Sequence, residues 1–143
     1  MIATASTSNQ DFLKQMGADQ AIDYTKTKFE DLVKDVDVLL DMVGGDTLKK
    51  SYGVVKKGGI IVSIVDEPDQ AALDAKGIRG VIFRSSPKAS VLEELSRLID
   101  AKKITPVVSQ TFPLSDVAKA QEQIATGHTR AKIVLMVGKD TKG

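Results

Sequence analysis

Cysteine and tryptophan are absent from the 143-residue sequence, and histidine occurs once, as His128. Without cysteine the chain forms no disulfide. A protein zinc site is disfavoured, because structural zinc takes four Cys or His ligands and catalytic zinc usually takes three protein ligands. We therefore predict no metal site. His128 follows Gly127 in a turn between a predicted helix and a predicted strand, and we interpret it as a surface residue rather than a catalytic one.

Aromatic residues and excess charge are scarce as well. Four Phe and two Tyr leave few side chains for stacking on bases, and 20 Lys and Arg against 19 Asp and Glu give a net charge of +1. We predict no nucleic-acid partner. No apolar run approaches the roughly 20 residues that span a bilayer, and no signal-peptide pattern opens the chain. We therefore predict no membrane association and a cytoplasmic location.

Short apolar runs alternate with helical patterns, which predicts an α/β fold with a parallel sheet. The run from Ile60 to Val65 is apolar on both faces, as is typical of a buried parallel strand. The length suits a single domain, placed over residues 1–137, with 138–143 as a flexible tail. The predicted strands are residues 2–5, 21–24, 36–40, 60–65, 80–83, 106–108 and 132–137.

Helix boundaries are predicted from caps and glycines. Ser8 with Asp11, and Thr27 with Glu30, have capping-box spacing, and Ser115 suits the start of a helix. Asp66 and Glu67 precede Pro68, where acidic side chains favour the helix that follows. Gly17, Gly58-Gly59 and Gly127 suit helix ends. The predicted helices are residues 8–16, 46–55, 68–75, 91–99 and 115–125, with a further one after Thr27.

Ligands of open α/β sheets bind beyond the C-terminal ends of the strands. Polar groups cluster where a ribose or its phosphate would lie, on Ser6, Thr7, Ser8 and Asn9. The absence of an acidic residue there favours NADP over NAD; the alternative is that Ser8 only caps a helix. Gly44-Gly45 would let a ligand approach the backbone before a helix, or would form a plain strand-to-helix turn.

No motif identifies a catalytic group. The sequence has no G-x-G-x-x-G, no P-loop and no G-x-S-x-G elbow around Ser85-Ser86. Asp41 ends a predicted strand and could act as a general base, although a helix-facing or water-exposed aspartate is the preferred interpretation. The catalytic residues therefore stay unassigned.

Several segments together resemble the medium-chain dehydrogenase/reductase superfamily, and in particular its zinc-independent, NADPH-dependent quinone oxidoreductase branch. The resemblance covers residues 2–137. It is carried by the segments Gly17-Ala18-Asp19, Ala21-Ile22-Asp23-Tyr24, Asp37 to Gly45, Lys57 to Ser63, Thr111-Phe112-Pro113-Leu114 and Gly127 to Leu135.

The resemblance implies a Rossmann-like doubly wound parallel sheet that lacks its first βα unit, together with two C-terminal strands that belong to the catalytic domain in intact relatives. It implies NADP(H) as cofactor and a quinone or enone as substrate. By position, Ser6, Asn9 and Tyr24 match the surroundings of the adenosine 2′-phosphate. The other implied cofactor-binding residues are Val43, Gly44, Gly45, Ser63, Ile64, Phe83, Arg130 and Lys132.

Two residues depart from the family pattern: Asn9 stands where some relatives have a basic residue, which would lower the affinity for the 2′-phosphate, and Ala131 stands where a glycine is usual, which would strain the turn. The missing first strand would be central, between residues 2–5 and 36–40, so its loss would leave two edges with unpaired backbone groups. We expect the chain to rearrange its sheet or to form a homo-oligomer through these edges. Residues 106–108 and 132–137 would also need new partners.

Three hypotheses follow. In the first, the chain is the C-terminal cofactor-binding portion of an NADPH-dependent quinone or enone oxidoreductase and is inactive alone. In the second, it is a non-catalytic interaction or dimerisation fragment with weak or no nucleotide binding. In the third, it is a small stand-alone nucleotide-binding protein.

Overall fold

The computed structural model describes residues 1–86, 88–127 and 129–138, and it divides into two compact units, Met1–Ser85 and the described residues from Ser86 onward. His128 and the tail residues 139–143 lie outside the described residues, and so do the predictions made for them. The placement of a single domain over residues 1–137 stays a prediction. None of the described helices combines the length and apolar composition that crossing a bilayer requires.

The first unit alternates strands and helices, and all of its strand pairs are parallel. β1 pairs with β2, while β3, β4 and β5 form a separate sheet with β4 in the centre. The elements are β1 (Ile2–Ala5), α1 (Gln10–Gln15), β2 (Gln20–Asp23), α2 (Phe29–Leu32), β3 (Val36–Asp41), α3 (Gly45–Ser51), β4 (Val55–Ser63), α4 (Gln70–Lys76) and β5 (Arg79–Ile82), with a 3₁₀ turn at Thr7–Asn9 before α1.

The two sheets have the order expected on either side of a central strand that these 143 residues do not supply. In the part of the chain that the structure describes, β1 pairs only with β2 and β3 only with β4, so each has one edge without a strand partner. The chain has not rearranged these strands into one sheet. Val38 and Leu40 of β3 are 64 and 56 % exposed. Covering of the edges by a second copy stays a prediction.

Two clusters of buried side chains hold the unit together. Leu48, Tyr52, Ile61, Leu73 and Ile78 pack helices α3 and α4 onto one face of the sheet. The second cluster, Ile22, Val33 and Val54, connects β2 with the segments before β3 and β4. Burying such side chains is worth about 1.5–3 kcal/mol each, so both clusters contribute strongly to stability.

The strand β4 corrects two predictions. Its central residues are buried on one face, with Ile61 fully buried, but Ile60 and Val62 on the other face are only half-buried, and Ile64 and Val65 lie beyond the strand. The prediction of burial on both faces was therefore wrong. Gly58-Gly59 does not end a helix, since α3 ends earlier, at Ser51; the pair lies inside β4, at a register irregularity opposite β3.

Helix starts were predicted less well than strands. The predicted capping residues Ser8 and Thr27 are not the N-cap residues, because Ser8 lies inside the 3₁₀ turn before α1 and α2 begins after Lys28. Pro68 precedes α4 without entering it, and Asp69 caps this helix by accepting a hydrogen bond from the Ala72 amide at 3.1 Å. Proline has no backbone N–H to donate to a capping side chain, but it can occupy the position before the N-cap residue.

The second unit contains α5 (Ala89–Asp100), β6 (Val108–Pro113), α6 (Val117–Ala125) and β7 (Lys132–Met136). The strand predicted at 106–108 starts at Val108 and continues to Pro113, and it pairs with β7 in parallel. A 3₁₀ turn at Leu114–Asp116 contains Ser115, which does not cap α6. Ala131 has φ = 62°, so the strained turn predicted for it is confirmed.

Candidate functional site

Strand pairing brings the candidate residues to the C-terminal ends of the strands. In the first sheet the register sets Ala5 opposite Asp23. In the second sheet it sets Asp41 opposite Ser63, and Ser63 opposite Ile82. The loops that follow these residues therefore leave each sheet at the C-terminal ends of its strands, where ligands of open α/β sheets bind. We call this end of the β1–β2 sheet the first edge and this end of the β3–β4–β5 sheet the second edge. The first edge carries Ser6, Asn9 and Tyr24, and the second carries Val43, Gly44, Gly45, Ser63, Ile64 and Phe83.

At the first edge the structure brings Ser6 and Asn9 together. The amide Nδ2 of Asn9 donates to Ser6 Oγ at 3.2 Å, and Ser8 Oγ lies 3.4 Å from the same oxygen; we call these three residues the Ser6 cluster. Gln10 fixes its base, because its Nε2 donates to the carbonyl oxygens of Ala5 and Ser6. The cluster presents hydroxyl and amide groups of the kind that bind ribose or phosphate oxygens. Tyr24 lies just beyond β2 and is 57 % exposed.

A carboxylate stands beside this cluster. Asp23 accepts hydrogen bonds from the hydroxyls of Thr25 and Thr7, both at 2.6 Å, and Lys26 Nζ lies 3.5 Å away. The hydrogen bonds from Thr25 and Thr7 lower the pKa of Asp23 from 3.8 to about 2. These hydrogen bonds of Asp23 were not predicted from the sequence, although Thr7 and Asp23-Tyr24-Thr25 lie at the ends of neighbouring predicted strands. Any phosphate bound near Ser6 would lie close to a negative charge that Lys26 offsets.

At the second edge Asp41 is buried, so the interpretation of it as water-exposed was wrong; its carboxylate lies beside Gly44, the N-cap residue of α3. Asp41 is 3 % exposed and Ser63 is fully buried. Asp41 accepts hydrogen bonds from the amides of Val43 and Gly44 at 3.2 and 3.1 Å, and from the Ser63 hydroxyl at 2.8 Å. Ser63 Oγ in turn accepts from the amides of Val65 and Asp66. We call Asp41, Ser63 and these four amides the Asp41–Ser63 network.

The glycine pair of the same edge meets a carboxylate from the neighbouring loop. The Gly45 amide donates to Asp66 Oδ2 at 2.7 Å. Asp66 therefore binds the start of α3. The prediction that it favours the helix that follows it in the chain was wrong. A Cβ on Gly44 would lie 2.9 Å from the Asp66 Cγ, so this approach requires glycine. Because Asp41 and Asp66 take the three amides of residues 43–45, these do not present a ready anion site.

The remaining predicted residues divide between the two units. Val43, Ile64 and Phe83 carry apolar side chains that are 67, 48 and 60 % exposed at the second edge. The Phe83 amide donates to the Ser63 carbonyl at 2.7 Å, which extends the strand pairing into the loop. Arg130 and Lys132 belong to the second unit, where Lys132 opens β7. Their part in cofactor binding stays a prediction.

The described residues hold no group of three or more His, Cys, Asp or Glu side chains placed to bind a metal ion. Asp41 has all of its hydrogen-bond partners within the protein, and the described part of the chain contains no buried side-chain nitrogen or oxygen without a partner. We assign no zinc ligand to this chain and route no chemistry through a metal.

Parallel sheets flanked by helices, with polar loops at the C-terminal strand ends, define a Rossmann-like α/β protein. The family model described as "Zinc-binding dehydrogenase" matches residues 16–135. The chain belongs to this family, and thus to the medium-chain dehydrogenase/reductase superfamily, as its motifs had suggested.

Individual proteins agree with this assignment. The structure of the quinone oxidoreductase from Coxiella burnetii is 33 % identical, with a TM-score of 0.86 over 96 % of this chain and 44 % of its own. An NADPH-dependent alkenal/one oxidoreductase of Arabidopsis thaliana chloroplasts is 36 % identical over 93 % of this chain and 32 % of its own length. The human mitochondrial NAD(P)H oxidoreductase RTN4IP1 is 31 % identical, over 94 and 41 % respectively. The chain therefore spans less than half of each of these proteins.

Proposed function

We propose that the chain is the C-terminal cofactor-binding portion of an NADPH-dependent oxidoreductase that reduces quinones or enones, and that it is inactive alone. One observation carries the proposal: the chain sets a hydroxyl-rich cluster at one strand edge and a rigid loop pair with apolar side chains at the other. A dinucleotide has the same two requirements, a polar adenosine ribose end and a flat nicotinamide end. The oxidoreductase activities for which the relatives are named support it.

The first edge would bind the adenosine end. Ser6 and Asn9 would contact the 2′-phosphate with their hydroxyl and amide groups, and Tyr24 would lie beside it. No carboxylate follows β1 within residues 6–9 to take the two ribose hydroxyls, which favours NADPH over NADH. The carboxylate of Asp23 would repel the phosphate, but it accepts hydrogen bonds from Thr7 and Thr25 and pairs with Lys26. Arg130 and Lys132 are retained as proposed cofactor contacts of the second unit.

The second edge would bind the nicotinamide end. Val43, Gly44 and Gly45 would form one side and Ile64, in the loop held by the buried Ser63, the other, with Phe83 near the carboxamide. When bound, the reduced nicotinamide supplies the hydride. The apolar side chains of Val43, Ile64 and Phe83 would keep water from its face, and the loop backbones would set its orientation. We assign no side-chain acid and propose chemistry without zinc, since the sequence has no cysteine and a single histidine.

The lateral sides of β1 and β3 that have no strand partner favour a second candidate, a non-catalytic fragment that associates with another copy of itself. Both strands carry backbone groups along one edge without a strand partner in the described residues, and such edges pair readily with other chains. We keep homo-oligomerisation through these edges as a proposal. We also keep the cytoplasm as the proposed compartment, although the human and plant relatives are named as mitochondrial and chloroplastic.

Titration of the purified chain with NADPH, followed by its fluorescence, tests the proposed function. We expect saturable binding that is tighter than for NADH, without oxidation when a quinone is added. Quinone-dependent oxidation of NADPH would show that the chain is active by itself. If neither nucleotide binds and light scattering shows a dimer, the interaction fragment is the better description.

A further inference from the structure

Two consecutive loops of the second edge end on one buried pair of side chains. The loop after β3 donates the amides of Val43 and Gly44 to Asp41, and the loop after β4 donates the amides of Val65 and Asp66 to Ser63. The two side chains are joined by the 2.8 Å hydrogen bond from Ser63 Oγ to Asp41 Oδ2. Neither loop therefore has its own independent anchor.

The direction of that central hydrogen bond is fixed by counting. A serine hydroxyl has one proton and two lone pairs, and Ser63 Oγ already accepts two amide hydrogens, at 3.2 and 3.1 Å. Its only proton is therefore donated to Asp41. Asp41 accepts from each of these neighbours, the amides of Val43 and Gly44 and the Ser63 hydroxyl. Such a saturated buried network holds one arrangement, because any change leaves a buried group unpaired.

A second tie connects the same loops at the surface. Asp66 reaches from the loop after β4 to the Gly45 amide, and Gly44 leaves the room for it. The backbone just after β4 adds a third contact, since the Ile64 amide donates to the Asp41 carbonyl at 3.1 Å. Displacing one loop thus breaks contacts of the other.

We propose that Asp41 and Ser63 are positioning residues that hold both nicotinamide-side loops as one unit. Neither would touch the reacting atoms; they would act through the backbone of Val43-Gly44 and of Ile64-Val65. The identity of the ligand rests on the proposed function, whereas the coupling of the two loops does not. Holding both walls of a site together lowers the cost of orienting a bound ring.

Amide hydrogen exchange in Asp41→Asn tests the coupling without any ligand. An asparagine has one acceptor oxygen in place of two, so in either orientation its Nδ2 faces a donor, the Ser63 hydroxyl or the amides of Val43 and Gly44, and the network loses a hydrogen bond. We expect the amides of Val65 and Asp66, which Asp41 does not contact, to exchange about tenfold faster, together with those of Val43 and Gly44. Faster exchange limited to Val43 and Gly44 would overturn the proposal.

Two further variants separate coupling from general destabilisation. Ser63→Ala should accelerate exchange of the Gly44 amide, which Ser63 does not contact, and it keeps the coupling testable if Asp41→Asn does not fold. Asp69→Ala removes the cap of α4 at the same end of the sheet; it should accelerate the Ala72 amide and leave Val43, Gly44 and Val65 unchanged. Equal acceleration at all amides, including Ile61 in the centre of β4, would indicate global unfolding only and would count against the proposal.

A second experiment compares binding of the whole cofactor with binding of its adenosine half. We expect Asp41→Asn to weaken NADPH binding about tenfold while adenosine 2′,5′-bisphosphate, which has no nicotinamide, binds as to the unchanged chain. Equal weakening of both ligands would overturn the positioning role. If the unchanged chain binds neither ligand, the proposed function fails, and the exchange experiment still decides whether the loops are coupled.

Discussion

The two edges of the first unit solve the same task of ending parallel strands in opposite ways. After β1 and β2, Ser6 and Asn9 are half-buried, Ser8 and Thr25 are exposed, and their hydrogen bonds run mostly between side chains. After β3 and β4, Asp41 and Ser63 are buried and bind the loop backbones directly. The first edge can exchange its partners with water or a ligand at little cost, whereas the second cannot.

This difference separates binding from positioning. Exposed hydroxyls and amides can turn toward a ligand, so their loss should affect affinity more than stability. A buried carboxylate with every acceptor position used contributes to the fold and to the shape of the loops together. Substitutions at the two edges should therefore have different signatures.

The largest effect is expected for Asp41→Ala. It leaves the Ser63 hydroxyl and two loop amides without their acceptor in a buried site, which should lower the free energy of unfolding by about 3 kcal/mol. Urea denaturation followed by circular dichroism measures it. Asp69→Ala, which removes one exposed helix cap, should cost only about 1 kcal/mol. Equal costs for the two variants would contradict the stabilising role of the buried Asp41–Ser63 network.

Gly44→Ala should follow, at about 2 kcal/mol. Gly44 has φ = 76° and ψ = −164°, a region that is essentially limited to glycine, and its new Cβ would press on Asp66. Gly45→Ala is the matched control: its φ is 55°, and a Cβ there meets no atom within 4 Å, so the cost should be about 1 kcal/mol. The same denaturation curves compare them. If Gly45→Ala cost more, the contact with Asp66 would not determine this turn.

Asp23→Asn tests the charged group of the first edge through pH. Because the folded pKa of about 2 lies below the ordinary 3.8, ionised Asp23 stabilises the fold above about pH 4, and this contribution is lost as the pH falls through 2. The variant should be less stable than the unchanged chain at pH 5, and the difference should shrink as the pH falls towards 2. Thermal unfolding at several pH values measures this. Asp74→Asn, an exposed carboxylate on α4, serves as control; an equal pH effect there would contradict the assignment.

Ser6→Ala should have the smallest effect on stability, within about 0.5 kcal/mol. If Ser6 contacts the 2′-phosphate, NADPH should bind about tenfold more weakly, because a hydrogen bond to a charged group is lost. Binding of NADH should stay the same, and Ser8→Ala should leave both affinities within about twofold. Fluorescence titration gives all four values. A loss of stability as large as that of Asp41→Ala would show that the first edge is structural.

Sequence patterns placed the strands well and the side-chain partners poorly. An apolar run such as Val36 to Leu40 predicts a strand from composition alone, and β3 does begin at Val36. Asp41 could not be interpreted in the same way, since its partner Ser63 is 22 residues away and becomes a neighbour only through strand register. Asp66 shows the same limit, as local rules connect it with the next helix while the fold brings it to the previous one.

Helix starts and strained turns show which local rules hold. Ser8 and Thr27 have the correct spacing for a capping box, but a 3₁₀ turn and the entry of the chain at Lys28 place the helix starts elsewhere. Tertiary contacts override such weak preferences. The turn at Ala131 was predicted correctly from the glycine usual in the family, because a left-handed residue is a backbone requirement that substitution does not remove.

Chemical-shift mapping with NADPH tests the central claim that the two edges form one cofactor site. We predict that amides of Ser6 to Asn9 and amides of the two loops after β3 and β4 shift together and saturate with a single dissociation constant. Shifts confined to one edge, shifts only in β6 and β7, or no saturable shift at all would contradict it.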